Sequence, residues 1–124
     1  MNTQLLIASS DPKLRQELSG CFSGPTLLFA DRTEEAELAL LEKNPKVLIY
    51  DLQPDTAFTE DALEVIRRIR PNLPVIVLAG ESRIRQGARL LELGVFYLLP
   101  KPVCADTLKT LVNSALEKAK KISL

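Results

Sequence analysis

The sequence contains no histidine, and this absence excludes several kinds of site. Without an imidazole, the chain can form no Ser-His-Asp or Cys-His nucleophile pair, no histidine general base and no histidine-containing zinc site. It cannot carry a phosphohistidine either. Any phosphoryl group that this chain receives must therefore come from another molecule or domain.

Cysteine and long apolar runs are also scarce. The two cysteines, Cys21 and Cys104, are too few for a disulfide framework, and we interpret both as small buried hydrophobes. The first residues lack the basic segment and the long apolar run of a signal peptide. No apolar run approaches the roughly 20 residues that span a bilayer. These absences predict a cytoplasmic protein with no membrane segment.

Neither sign of charge is in excess, because 16 Lys and Arg residues balance 16 Asp and Glu residues in the 124-residue chain. A net charge of zero gives no field that attracts a polyanion, so nucleic acid and anionic membrane surfaces are not expected partners. A chain of this length, 46% hydrophobic, can bury one core without metals or crosslinks. We therefore expect a single domain over residues 1–124.

Short apolar runs alternate about five times with amphipathic stretches. The predicted strands are residues 4–8, 26–30, 46–50, 74–79 and 95–99. Four of them are apolar at nearly every position, as expected of parallel strands that are covered by helices on both faces. Repeated βα units with right-handed crossovers predict an α/β fold, a three-layer sandwich whose functional groups gather at the carboxyl ends of the strands.

Capping residues and prolines mark the predicted helices. The predicted starts are Asp11-Pro12, Thr33, Thr59 or Glu60, Glu81 or Ser82, and a position near Asp106. The predicted ends are Asn44-Pro45, residues 71–74 and Gly94.

Two charged residues directly follow predicted strands. Asp51 comes after the third strand and Lys101 closely follows the fifth. An unpaired charge is costly at the end of a buried strand, so each residue is expected to be paired or used. From position alone, the two residues form either an ion pair that fixes two loops or part of a functional site.

Three stretches resemble bacterial response-regulator receiver domains of the CheY-like family. They are residues 46–52 (KVLIYDL), 67–78 (RRIRPNLPVIVL) and 94–102 (GVFYLLPKP), and the likeness runs from residue 5 to about residue 116. The resemblance implies a flavodoxin-like (βα)5 fold with strand order 2-1-3-4-5. It also implies a non-enzymatic role in two-component phosphorelay signalling.

The resemblance assigns roles to some residues and shows departures at others. Asp51 matches the phosphoacceptor, Lys101 matches the lysine that contacts the phosphoryl group, and Pro102 matches the proline whose preceding peptide bond is usually cis. Four positions depart from the family pattern: Ser9 and Ser10 replace the acidic pair that binds Mg²⁺, Ala79 replaces the Thr or Ser that contacts the phosphoryl oxygens, and Leu98 replaces the aromatic switch.

Losing two carboxylates should weaken metal binding, because Mg²⁺ prefers carboxylate oxygens. We predict no metal site and no cofactor, with Mg²⁺ binding weak at most, and we expect Asp51 to pair with Lys101 instead. The alternative is a metal site rebuilt from Asp55 and Glu81, which follow the third and fourth strands.

These departures favour an atypical receiver that acts mainly through protein contacts. Its expected partner is a histidine kinase or an output domain, contacted through helix four, strand five and helix five; a homodimer is also compatible. The arginines Arg83, Arg85 and Arg89 on helix four are available for intermolecular ion pairs.

Two further hypotheses stay open. The first is a working phosphoreceiver, phosphorylated on Asp51 by a histidine-kinase partner. The second, more distant, is a flavodoxin-like nucleotide or flavin binder. It lacks support because residues 9–12 (SSDP) contain hydroxyls but no glycine, and Pro12 has no amide N–H to offer a phosphate.

Overall fold

The computed structural model describes residues 3–53, 58–81 and 88–122. The strands are β1 (Gln4–Ala8), β2 (Thr26–Ala30), β3 (Val47–Asp51), β4 (Val75–Ala79) and β5 (Tyr97–Pro100). The helices are α1 (Pro12–Ser19), α2 (Thr33–Glu42), α3 (Glu60–Ile69), α4 (Ala88–Glu92) and α5 (Ala105–Ile122). All paired strands are parallel, in the order β2-β1-β3-β4-β5. The predicted α/β fold and strand order are confirmed.

Helices cover both faces of the sheet. On one face, α2, α3 and α4 bury Ala36, Leu40, Leu63, Ile66 and Leu90. On the other face, α1 and α5 bury Leu14, Leu18, Leu108, Val112 and Ala115. Strands β3 and β4 are buried at every position. This explains why β3 is apolar up to Tyr50 and β4 is apolar through Ala79. Within the described part of the chain, no helix is both long and apolar enough to cross a membrane.

Two helix starts follow the capping signals. The Asp11 carboxylate accepts a hydrogen bond from the backbone N–H of Lys13 at 3.0 Å, and Pro12 is the first helical residue. The Thr59 hydroxyl accepts one from the backbone N–H of Ala62 at 3.2 Å. The predicted start of the fourth helix at Ser82 lies outside the described residues.

Three strands, β3, β4 and β5, differ from their predicted bounds at five positions: β3 and β5 at both ends and β4 at its start. Strand β3 includes Asp51, because this residue stays in register with Leu78 of β4. Strand β4 starts one residue late, since Pro74 has no N–H for the ladder. Strand β5 starts at Tyr97, because the turn at Gly94 (φ +73°) delays the return of the chain to the sheet.

Both cysteines were predicted to be buried, and the prediction is wrong. Cys104 is exposed and Cys21 is only partly buried. Cys104 immediately precedes α5, at the solvent-facing end of the helix, and Cys21 follows α1, where its thiol donates to the carbonyl of Glu17 at 3.3 Å. Sequence composition alone does not distinguish such helix-end positions from core positions.

Tyr50 ties the end of β3 to the start of α3. Its hydroxyl donates a hydrogen bond to the carbonyl oxygen of Thr59 at 2.6 Å. Its ring packs edge-on against Phe58, with ring centroids 5.5 Å apart. Burial raises the pKa of Tyr50, because the phenolate would lie in an apolar core.

We expect Tyr50→Phe to lower the free energy of unfolding by about 1 kcal/mol, the usual contribution of one such hydrogen bond. The effect should also depend on pH. Since the pKa of Tyr50 is raised in the folded state, its contribution is full at neutral pH and is lost as pH rises above about 10, where the unfolded tyrosine ionises. Urea unfolding as a function of pH measures both effects. Equal stability, with the same alkaline slope for both proteins, would refute this account of Tyr50.

Candidate functional site

Strand pairing brings the residues of the candidate site to one edge of the sheet. Strand β1 lies beside β3, with Ala8 in register with Tyr50, so Ser9 and Asp51 are the next residues of the two strand paths. Strand β4 lies between β3 and β5, with Ala79 in register with Pro100. The carboxyl ends of β1, β3, β4 and β5 therefore meet at this edge.

Ser9 is completely buried and makes a short hydrogen bond to Asp51. Its hydroxyl donates to Oδ2 of Asp51 at 2.7 Å, and its oxygen accepts from the backbone N–H of Asp11 at 3.1 Å. The backbone N–H of Ser9 donates to the carbonyl of Ala30 at 3.0 Å. Ser9 therefore connects β1, β2, β3 and the start of α1, and it satisfies one oxygen of a buried carboxylate.

Lys101 contacts the other oxygen of the Asp51 carboxylate. Its Nζ contacts Oδ1 of Asp51, forming the ion pair expected from the sequence. The lysine side chain spans the end of β4, where Ala79 carries only a methyl group, and its backbone N–H donates to the carbonyl of Ala79 at 2.9 Å. Asp51 is only 1% exposed, and its two oxygens contact Ser9 and Lys101. The peptide bond between Lys101 and Pro102 is cis.

The other departing positions, Ser10, Ala79 and Leu98, make no hydrogen bond to the Asp51 carboxylate in the described part of the chain. The Ser10 hydroxyl donates to Oε1 of Gln53 at a long 3.4 Å. Ala79 is buried and has no side-chain donor. Leu98 is partly buried against the core under α2, α3 and α4, and the neighbouring Tyr97 is exposed.

The donor set around Asp51 does not fit Mg²⁺. Both carboxylate oxygens are engaged, and the two residues that follow β1 present neutral hydroxyls where the ion would need carboxylates. Within residues 3–53, 58–81 and 88–122, no three Cys, Asp or Glu side chains lie close enough together to hold a metal ion. Glu81 is exposed, and Asp55, its proposed companion, lies outside the described residues.

Three arginines of the fourth helix were predicted to be available for intermolecular ion pairs, and the structure describes one of them, Arg89. Arg89 pairs within the chain, because its Nη2 lies 2.7 Å from Oδ1 of Asp61 and 2.9 Å from Oε2 of Glu64. These carboxylates, Asp61 foremost, raise the pKa of Arg89. Arg89 is therefore paired with α3 within the chain, and its use in an intermolecular ion pair stays a prediction. Arg83 and Arg85 lie outside the described residues.

Sequence reasoning missed the environment of Cys104, three residues after Lys101. Hydrogen bonds from the backbone N–H and the hydroxyl of Thr107, then from the N–H of Asp106, lower the pKa of the Cys104 thiol. A residue immediately before a helix is the usual acceptor for these amide groups. The spacing of Cys104 and Thr107 at a helix start was the available signal.

We expect iodoacetamide at neutral pH to alkylate Cys104 roughly tenfold faster than Cys21, because a lower pKa gives more thiolate. Thr107→Val should slow the reaction of Cys104, since it removes one donor to the sulfur. Peptide mass spectrometry over time measures both rates in one sample, with Cys21 as the internal reference. Equal rates for the two cysteines would contradict the role given to the helix start.

Comparisons with known proteins agree with this geometry. The chain is 28% identical over 117 residues to the transcriptional regulatory protein GlrR of Escherichia coli K12, covering 93% of this chain and 26% of that protein. It is 29% identical over 112 residues to the DNA-binding transcriptional regulator NtrC of the same organism, covering 89% and 24%. A response regulator receiver domain protein from Clostridium thermocellum superposes with a TM-score of 0.86 and 25% identity, covering 98% of this chain and 99% of that one. No family model matches the chain.

The fold and these likenesses define the class: this is a CheY-like response-regulator receiver domain, a module of two-component signalling. More particularly, the chain belongs to the receiver family and is homologous to the receiver domains of regulators of the GlrR, NtrC and NtrX type. Such a domain is normally a signalling module and not an enzyme. The chain spans about a quarter of the length of the curated relatives that it matches.

Proposed function

We propose that this domain is an atypical receiver that signals through protein contacts without requiring phosphorylation of Asp51. The observation that carries the proposal is the closed arrangement of Ser9, Asp51 and Lys101. In this arrangement the Lys101 ammonium balances the charge of the buried Asp51 carboxylate, and the Ser9 hydroxyl donates a hydrogen bond to it. In a receiver with the usual acidic pair, Mg²⁺ held by that pair would balance the charge.

The same arrangement opposes phosphoryl transfer. An attacking carboxylate oxygen must approach phosphorus freely, while positive groups neutralise the charge on the transferred oxygens. Here, Oδ2 of Asp51 accepts a hydrogen bond from the Ser9 hydroxyl, and Oδ1 contacts the Lys101 ammonium. Transfer would first have to break a buried hydrogen bond, and Ala79 offers no donor to the incoming group.

The proposed contact surface is formed by α4, β5 and α5. It includes the exposed side chains of Leu91, Tyr97 and Cys104. Large apolar side chains at a surface lose unfavourable hydration when a partner covers them. We propose a histidine kinase or an output domain as this partner.

One observation favours the alternative of a working phosphoreceiver. The aspartate and the lysine that this chemistry uses are both retained, in contact, at the carboxyl edge of the sheet. The next experiment therefore distinguishes a working phosphoreceiver from a receiver that does not require phosphorylation.

The test is to incubate the chain with acetyl phosphate, or with beryllofluoride, in the presence of Mg²⁺. Intact mass and amide chemical shifts are then compared with those of Asp51→Asn treated in the same way. We expect no added phosphoryl mass and no Asp51-dependent shift at millimolar reagent. A stoichiometric mass increase that Asp51→Asn abolishes would overturn the proposal and favour the working phosphoreceiver.

A further inference from the structure

Helix α2 exposes large apolar side chains on its solvent face. Leu38 is 53% exposed and Leu41 is 69% exposed, one turn apart, while Ala36 and Leu40 fill the side that faces the core. The burial of Ala36 and Leu40 already attaches the helix to the sheet. The two outward leucines are therefore not needed for packing within the domain.

The apolar strip on α2 is bordered by carboxylates. The helix carries Glu34, Glu35, Glu37 and Glu42 and no basic residue. Glu35 is paired with Arg32, which precedes the helix, at 3.3 Å. In the described part of the chain, no cation forms an ion pair with the other three glutamates. Along α2 itself, the residues that flank the leucines thus carry negative charge and no positive charge before Lys43 at the helix end.

Helix α3 extends the same surface. Asp61 and Glu64 of α3 contact Arg89, so they mark the flank of α3 that faces α4. Val65 lies about 100° around the helix from Glu64, turned away from α4 toward α2, and it is 44% exposed. We call the surface formed by Leu38, Leu41 and Val65, with the bordering glutamates Glu34, Glu37 and Glu42, the α2 face.

We propose that the α2 face binds a basic amphipathic helix of a partner protein. An apolar stripe on that helix would cover the leucines, and its lysine or arginine flanks would meet the unpaired glutamates. Nucleic acid and anionic membranes are unsuitable occupants, because the same carboxylates repel them. This surface is additional to the one formed by α4, β5 and α5, and it does not depend on whether Asp51 is phosphorylated.

The test is a titration of the isotope-labelled chain with a designed helical peptide of leucine and lysine, followed by amide chemical shifts. A second peptide carries glutamate in place of every lysine. We expect the lysine peptide to shift amide signals only in α2 and α3. The glutamate peptide should bind at least roughly tenfold more weakly than the lysine peptide. Added salt should weaken binding of the lysine peptide, because ions screen exposed charge pairs.

Two matched substitutions identify the surface that binds. Leu41 and Leu91 have the same exposure, 69%, but lie on α2 and α4 respectively. Leu41→Gln should weaken binding of the lysine peptide about fivefold, whereas Leu91→Gln should leave it unchanged. Both side chains are exposed, so both variants should keep the far-ultraviolet circular dichroism of the wild type.

Three results would overturn the proposal. The first is no binding of the lysine peptide, or equal binding of both peptides. The second is a shift pattern centred on α4 and β5, with Leu91→Gln as harmful as Leu41→Gln. The third is self-association of the chain in sedimentation experiments that Leu41→Gln abolishes, which would make a second copy the occupant. None of these results bears on the acetyl phosphate experiment, so the two proposals fail separately.

Discussion

Replacing Ser9 and Ser10 together with aspartate is expected to create a magnesium site beside Asp51. The wild-type Ser9 hydroxyl lies 2.7 Å from Asp51, so a carboxylate introduced there would face another carboxylate in a buried place. Repulsion between them should lower the free energy of unfolding without metal by roughly 2–4 kcal/mol. Mg²⁺ relieves that repulsion and should recover part of the loss.

The recovery can be estimated from mass action. For a dissociation constant on the order of 1 mM, about 10 mM Mg²⁺ stabilises the folded state by about 1.4 kcal/mol. Urea unfolding with and without MgCl₂ measures this effect. The control is the same double variant with Asp51→Asn, which should lose most of the response. A wild-type chain as responsive to Mg²⁺ as the double variant would contradict the role given to Ser9.

A second large loss of stability is expected when Arg67 is replaced. This residue of α3 donates hydrogen bonds to the segment before β4 and to the segment after α4. Its Nε donates to the carbonyl of Leu93 at 2.9 Å, and its Nη1 donates to the carbonyl of Leu73. Burial lowers the pKa of Arg67. Arg67→Ala removes both donors and should lower the free energy of unfolding by about 2–3 kcal/mol.

Arg68 offers a matched control on the same helix. It is 75% exposed, and among the described residues its ion pair is with Glu64, four residues earlier, at 3.2 Å. Arg68→Ala should therefore cost about 0.5 kcal/mol or less. Arg67→Lys should not restore stability, because one ammonium cannot replace two guanidinium donors in fixed directions. Equal losses for Arg67→Ala and Arg68→Ala in urea unfolding would show that the two partly buried hydrogen bonds of Arg67 contribute little.

The fold could be predicted from the sequence because its signals are local. Apolar runs without alternation indicate strands covered on both faces, and Asp11-Pro12 and Thr59 mark helix starts through their own chemistry. Asp51 and Lys101 were also recognisable, since each lies at or just beyond the end of a strand. Where Asp51 belongs, inside β3, depends on its register with β4 and so required the structure.

The contacts that give the site its character depend on pairing between distant segments. The resemblance implies that Ser9 stands where receivers carry an acidic residue, but it does not reveal that the serine hydroxyl donates to one oxygen of Asp51, 42 positions away. The same holds for Arg89, whose partners lie on α3. In α2, apolar residues occur all around the helix, so only packing reveals that Leu41 faces solvent.

We propose that Ser9 and Lys101 satisfy both oxygens of Asp51 and so close this edge of the sheet to a divalent cation. A titration of the wild-type chain with Mn²⁺ tests it most directly, because this paramagnetic ion broadens the amide signals of residues near which it binds. We predict that at millimolar Mn²⁺ the signals of Ser9, Asp51 and Leu52 lose no more intensity than they do in Asp51→Asn. Selective broadening of these signals at lower Mn²⁺, abolished by Asp51→Asn, would contradict the claim.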